Sequence, residues 1–87
     1  MRKFIRSKKT NAFLTEKGNW TSDVESAFEF YNDNQIREAY ASFRLKACEL
    51  YYCFGTKPSH LDFSFPLALW LKAFVIRRRK NHGERTR

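Results

Sequence analysis

Glycine is scarce in this chain, with only Gly18, Gly55 and Gly83 in 87 residues. Phosphate loops and dinucleotide-binding turns need clustered glycines so that backbone amides can approach a phosphate, and three isolated ones exclude both. Only two prolines, Pro58 and Pro66, accompany them, and there is no low-complexity linker. With 43% hydrophobic residues, disorder of the whole chain is not expected. Two cysteines, Cys48 and Cys53, are too few for a secreted disulfide framework and, with the two histidines far apart in sequence, do not reproduce a zinc-ligand set. Within one strand, an offset of five residues places them on opposite faces, where they cannot bridge. They are expected to be reduced core residues of a cytoplasmic protein. Histidine is limited to His60 and His82, and neither has an acid and a nucleophile at a usable spacing. A non-enzymatic protein without cofactor or metal is therefore expected.

Long apolar runs are missing as well. The most apolar stretch, Phe63 to Ile76, includes Lys72 and falls short of the ~20 residues that span a bilayer. Basic residues open the chain without a following apolar segment, so no signal peptide is expected. Acid is almost absent from both ends. Residues 1–9 hold Arg2, Lys3, Arg6, Lys8 and Lys9 and no carboxylate, a charge of +5. Residues 72–87 carry +6, whereas residues 10–71 carry −3, giving the net +8.

Fifteen aromatics are what the chain has in abundance. In a protein this small they supply much of the core, since each ring can bury roughly 150–250 Å². Phe4-Ile5-Arg6-Ser7 and Ala12-Phe13-Leu14-Thr15 flank a polar turn and predict a β-hairpin. Gly18 supplies a positive φ in the next turn. Ser22 and Glu25 form a capping-box pattern, with Asp23 beside them, for a short helix carrying Val24, Ala27 and Phe28 and ending near Phe30. Asn32-Asp33-Asn34 offers caps for a second helix with Ile36, Ala39, Tyr40 and Phe43 on one face. From Ala47 to Phe54 the period drops to two, predicting a central strand. Leu61, Phe63 and Phe65 alternate with polar residues and predict a strand antiparallel to it. Pro66 suits the first turn of a third helix bearing Leu67, Trp70, Leu71, Phe74 and Val75, which Gly83 would end.

These elements predict an α+β fold of the order ββααββα, a mostly antiparallel sheet of three or four strands packed by two or three helices. Residues 1–76 would form one domain and 77–87 a basic tail. Trp20, Phe28, Ile36, Tyr40, Phe43, Leu50, Tyr52 and Phe54 are the expected core. Gly18, Trp20, Thr21, Asp23, Ala27 and Phe28 or Phe30, between a hairpin and a helix–strand unit, resemble a family of small uncharacterised bacterial proteins with a Gly-x-Trp-Thr-x-Asp pattern. That resemblance spans Phe4 to Phe54, implies a ββααβ-like arrangement and brings no activity with it.

The charged ends point to a polyanionic partner, DNA or RNA, contacted by Arg2, Lys3, Arg6, Lys8, Lys9, Arg77, Arg78, Arg79 and Lys80. A solvated charge run is the plainer alternative. Phe4, Phe13 and Tyr51 lie among bases and are candidates for stacking on nucleotides, although core packing explains them as well. Two other readings remain open. Leu67, Trp70, Leu71 and Phe74 could form the docking face of a protein-interaction adaptor or inhibitor, or anchor the same helix to an anionic membrane. Burial of Trp70 is the observation that would favour the polyanion.

Overall fold

Alternation along the first strand sorts side chains onto the two faces of a sheet, and the rest of the molecule is arranged around that division. In the computed structural model, which describes residues 1–72, β1 runs Arg2–Ser7, β2 Phe13–Leu14, β3 Trp20–Thr21, β4 Cys48–Cys53 and β5 Phe63–Pro66. All pairings are antiparallel, in the order β3-β2-β1-β4-β5. β4 is inside the sheet, between β1 and β5, as its two-sided apolar pattern predicts. The fold is thus α+β, with five strands rather than three or four. The additional strand is the pair Trp20–Thr21 beside β2, too short to leave a periodic signal.

The first predicted helix is replaced by one 3₁₀ turn, Val24–Ser26. Asp23, not Ser22, is its cap, accepting from the Glu25 N–H and the Ser26 hydroxyl at 3.0 Å each. Beyond it the backbone finds strand partners instead of helical ones. The Phe28 N–H donates to Leu14 O at 2.9 Å and the Phe30 N–H to Lys3 O at 2.8 Å. The segment thereby crosses the sheet: Val24 and Ala27 pack on one face, Phe28 and Phe30 on the other.

Helix α1, Asp33–Phe43, starts as predicted. Asn32 accepts from the Gln35 N–H, and the Gln35 side chain accepts from the Asn32 N–H in return. Ile36 and Ala39 enter the core with Ile5, Leu14, Phe30, Leu45, Cys48, Leu50 and Leu67. Pro66 ends β5 instead of opening a helix, and helical structure begins one residue later, at 67–72. That placement suits proline, since β5 is an edge strand where a missing N–H costs no ladder bond. Leu67 is buried, and Trp70 and Leu71 pack partly buried against the same core. Phe74, Val75, Gly83 and the basic run Arg77–Lys80 lie outside the described residues.

Four residues expected in the core are exposed: Trp20 (43%), Tyr40 (39%), Phe43 (39%) and Phe54 (55%). Trp20 stands on the two-residue edge strand β3, and Phe54 lies one residue past β4. Tyr40 is on the flank of α1. Phe43, the last residue of α1, rests against Gly18, where a Cβ would come within 2.6 Å of its ring. Gly18 has φ +92°, so both its backbone conformation and the approaching ring require glycine. Ile36 and Leu50 are fully buried, while Phe28 and Tyr52 are half-buried.

The opposite sheet face carries a second, smaller core of Phe4, Phe13, Val24, Tyr51 and Cys53. Cys48 and Cys53 are free and buried on opposite sides of β4, as their spacing predicts. Burial raises the pKa of both thiols.

Candidate nucleic-acid interface

The β1–β2 turn is held by short-range hydrogen bonds that present its lysines. Ser7 Oγ accepts from the N–H groups of Lys9 and Thr10, and the Asn11 N–H donates to Ser7 O at 2.9 Å. Asn11 takes φ +60°, a left-handed conformation that asparagine tolerates. Lys8 and Lys9 are both exposed. The Lys8 N–H also donates to Ala47 O at 2.9 Å, tying the turn to the α1–β4 connection. That connection enters through Arg44, a left-handed helix cap at φ 49°, and carries Lys46, with both side chains exposed. Lys8, Lys9, Arg44 and Lys46 therefore arrive at one end of the sheet from segments far apart in sequence.

Lys8 and Lys46 line a cavity of about 270 Å³, with Tyr40, Cys48, Pro66 and Leu67 among its other walls. Among the described residues its lining contains no carboxylate. A second cavity of about 250 Å³, between β2 and α1, is different. Phe28, Phe30 and Phe43 form its walls, and Glu16 and Glu38 add carboxylates. The first cavity suits an anion, whereas the second would repel one.

Arg2 and Arg6 have partners inside the molecule. Arg6 Nε donates to Glu49 Oε2 at 2.6 Å, and the Arg6 guanidinium lies 4.3 Å from the Tyr51 ring centre. Arg2 donates to Glu29 at 3.0 Å, lies 3.6 Å from Glu25 and sits 5.0 Å from the Phe4 ring centre. The hydrogen bond to Glu29 is the main reason its pKa is raised further. Lys3 lies half-buried on the helix-covered face, opposite Tyr52. The stacking candidates Phe4, Phe13 and Tyr51 are buried edge to face against one another, which is core packing. Arg77, Arg78, Arg79 and Lys80 lie outside the described residues, as does His82, while His60 is exposed in a loop.

Sequence reasoning missed two features. Arg44 and Lys46 are single cations in a connection, and the pairing of β1 with β4, continued by the bond from Lys8 to Ala47, brings them beside the hairpin. A column of aromatic rings on β4 and β5 was the other. Tyr52 stacks on Phe63 at 4.7 Å and 14° and on Phe65 at 5.7 Å and 15°, while Phe54 follows Phe63 at 5.8 Å. Strand alternation puts residues 52, 54, 63 and 65 on one face, a signal that was present in the spacing.

Among the described residues no group of three metal-ligating side chains occurs, and no helix is long and apolar enough to cross a membrane. The chain matches no protein-family model, no curated protein and no solved structure.

Proposed function

We propose that this protein associates with nucleic acid without catalysing a reaction on it, using the hairpin end of the sheet together with the basic residues after position 76. The observation that carries this reading is the convergence of Lys8 and Lys46 on a cavity whose lining, among the described residues, holds no carboxylate, with Lys9 and Arg44 exposed on the same two connections. Cations from separate segments held at one end of a sheet form a surface that a phosphate backbone can contact at several points. Within the N-terminal group, Lys8 and Lys9 take this role. Arg2 and Arg6 are assigned to internal ion pairs, which compete with phosphate for their charge.

The rival reading, an apolar helix face that docks on a protein or membrane, needs Leu67, Trp70, Leu71 and Phe74 to be available; of these, Phe74 lies outside the described residues. Leu67 is buried and Trp70 and Leu71 pack on the core, which favours the polyanion.

A salt titration on a panel of duplex and single-stranded DNA and RNA tests the proposal. About six phosphate contacts predict affinity falling roughly a thousandfold between 50 and 200 mM salt. Replacing Lys8 and Lys46 by Gln should reduce the log–log salt slope on duplex DNA by about 2. Arg77, Arg78 and Arg79 changed together to Gln should also shallow it. Failure to bind any member of the panel at low salt overturns the proposal.

A further inference from the structure

Only the inner half of the column of rings on β4 and β5 packs against the core. Its exposure rises outward, from half-buried Phe65 and Tyr52 to Phe63 (47%) and Phe54 (55%). Cross-strand register explains the order, because Tyr52 lies opposite Phe63 and Leu50 opposite Phe65. The inner rings pack partly buried against the helix-covered core, whereas the outer rings are exposed. Tyr52 lies nearly parallel to Phe63 and Phe65, and Phe54 at the outer end is tilted 45° from Phe63, so the column ends on an exposed ring that one more planar ring can meet.

From this geometry we infer that the outer end of the column, at Phe54 and Phe63, is a stacking platform for unpaired nucleobases. The inference rests on the nucleic-acid reading above and narrows it to single-stranded or locally opened strands, since a base inside a duplex is already stacked on both faces. Charge near the column is mixed. Lys3 stands opposite Tyr52 on β1, and exposed Lys57 lies in the loop that follows Phe54. Two acids oppose them. Asp33 is near enough to Tyr52 to raise its pKa, behind the greater effect of burial. Asp62 is occupied, accepting from Tyr51 Oη at 2.6 Å and from the N–H groups of Phe54 and Ser59 at 2.9 Å each. Those bonds also hold the 54–62 loop, and with it the position of Phe54. A stacked base is sequence-tolerant because every base has a π face, so no base preference is implied.

The test compares a single-stranded oligo-dT with an abasic oligomer of the same length and phosphate count. The full chain should bind oligo-dT about fivefold or more tightly than the abasic strand. The double variant Phe54→Ala, Phe63→Ala should lose that preference while keeping its affinity for the abasic strand and its salt slope. Phe63→Leu, which keeps apolar bulk but lacks a ring face, should reduce the preference with the circular dichroism spectrum unchanged. The Lys8→Gln, Lys46→Gln variant should shallow the salt slope for both oligomers and retain the preference. Equal binding of the two oligomers by the unaltered chain overturns the platform and leaves the phosphate-contact reading standing. An unchanged preference in the double variant also overturns it. So does a dimer that the double variant dissociates while the preference persists, which would assign the rings to a second copy. No binding to either oligomer, or to any other nucleic acid, removes both readings.

Discussion

The two faces of the sheet solve the same problem with different materials. One is covered by α1 and the helical residues 67–72, and its buried set is mainly aliphatic: Ile5, Leu14, Ile36, Ala39, Leu45, Leu50 and Leu67, with Phe30 and Cys48 among them. On the other, among the described residues, the segment around the 3₁₀ turn supplies cover through Val24 and Ala27. There the rings of Phe4, Phe13 and Tyr51 pack edge to face, with Arg2 over one and Arg6 over another. A guanidinium can lie flat on a ring while its edge still meets a carboxylate, so one side chain both shields apolar surface and remains solvated. The lesson is that a basic residue near a chain end is not automatically available to a partner. Arg2 and Arg6 complete a face, while Lys8 and Lys9, a few residues on, project from a turn.

Truncation of one buried residue on each face gives the largest expected effects. Phe4→Ala on the thinly covered face should cost about 3–5 kcal/mol, and Leu50→Ala under the helices about 2–5 kcal/mol. Denaturant midpoints of the two variants measure whether the faces are cores of equal weight. A loss under about 1 kcal/mol for Phe4→Ala would reduce the ring cluster to surface decoration.

Arg6→Gln should have a middling effect, about 1–2 kcal/mol, because it removes a charge-assisted hydrogen bond and a cation over a ring at a partly exposed site. The same variant should leave nucleic-acid affinity within about twofold, far less than the effect of altering Lys8 and Lys46. A large affinity loss with unaltered stability would make Arg6 a phosphate contact and not a cover for Tyr51.

The smallest effects should appear in the pH dependence of the 54–62 loop. Its hydrogen bond from Tyr51 and those from two backbone amides hold Asp62 well below its ordinary 3.8, at about 2. A depressed carboxylate stabilises the fold above its ordinary pKa, and that contribution is lost as pH falls from about 4 through about 2. Tyr51 moves the other way, pushed up to about 12 by burial and then by Asp62. Its contribution is present below about 10 and is lost as pH rises through about 12. Stability measured against pH should therefore show a weak acid limb that Asp62→Asn removes and an alkaline limb that Tyr51→Phe removes. Persistence of both limbs in the variants would place the responsible groups elsewhere.

Local chemistry was sufficient for much of this molecule. The polar turn between two apolar runs announces the hairpin, Asn32 with Gln35 starts α1, and alternation from Cys48 to Cys53 identifies a central strand with its thiols on opposite faces. These signals depend only on side-chain period and on hydrogen bonds spanning three or four residues. Residues 24–30 show where such reasoning stops. A helical spacing was present, yet the amides of Phe28 and Phe30 found carbonyls on β2 and β1, and the segment became a crossing between faces. The exposure of Trp20, Tyr40, Phe43 and Phe54 was likewise undecided until the sheet order determined which sides of the elements were covered. For the candidate site, the sequence by itself determined how much positive charge the ends carry. Tertiary structure alone decided which of those cations neutralise Glu25, Glu29 and Glu49 and which project beside Arg44 and Lys46. The reason is physical: period and composition belong to neighbours along the chain, whereas an ion pair depends on what the sheet places opposite it.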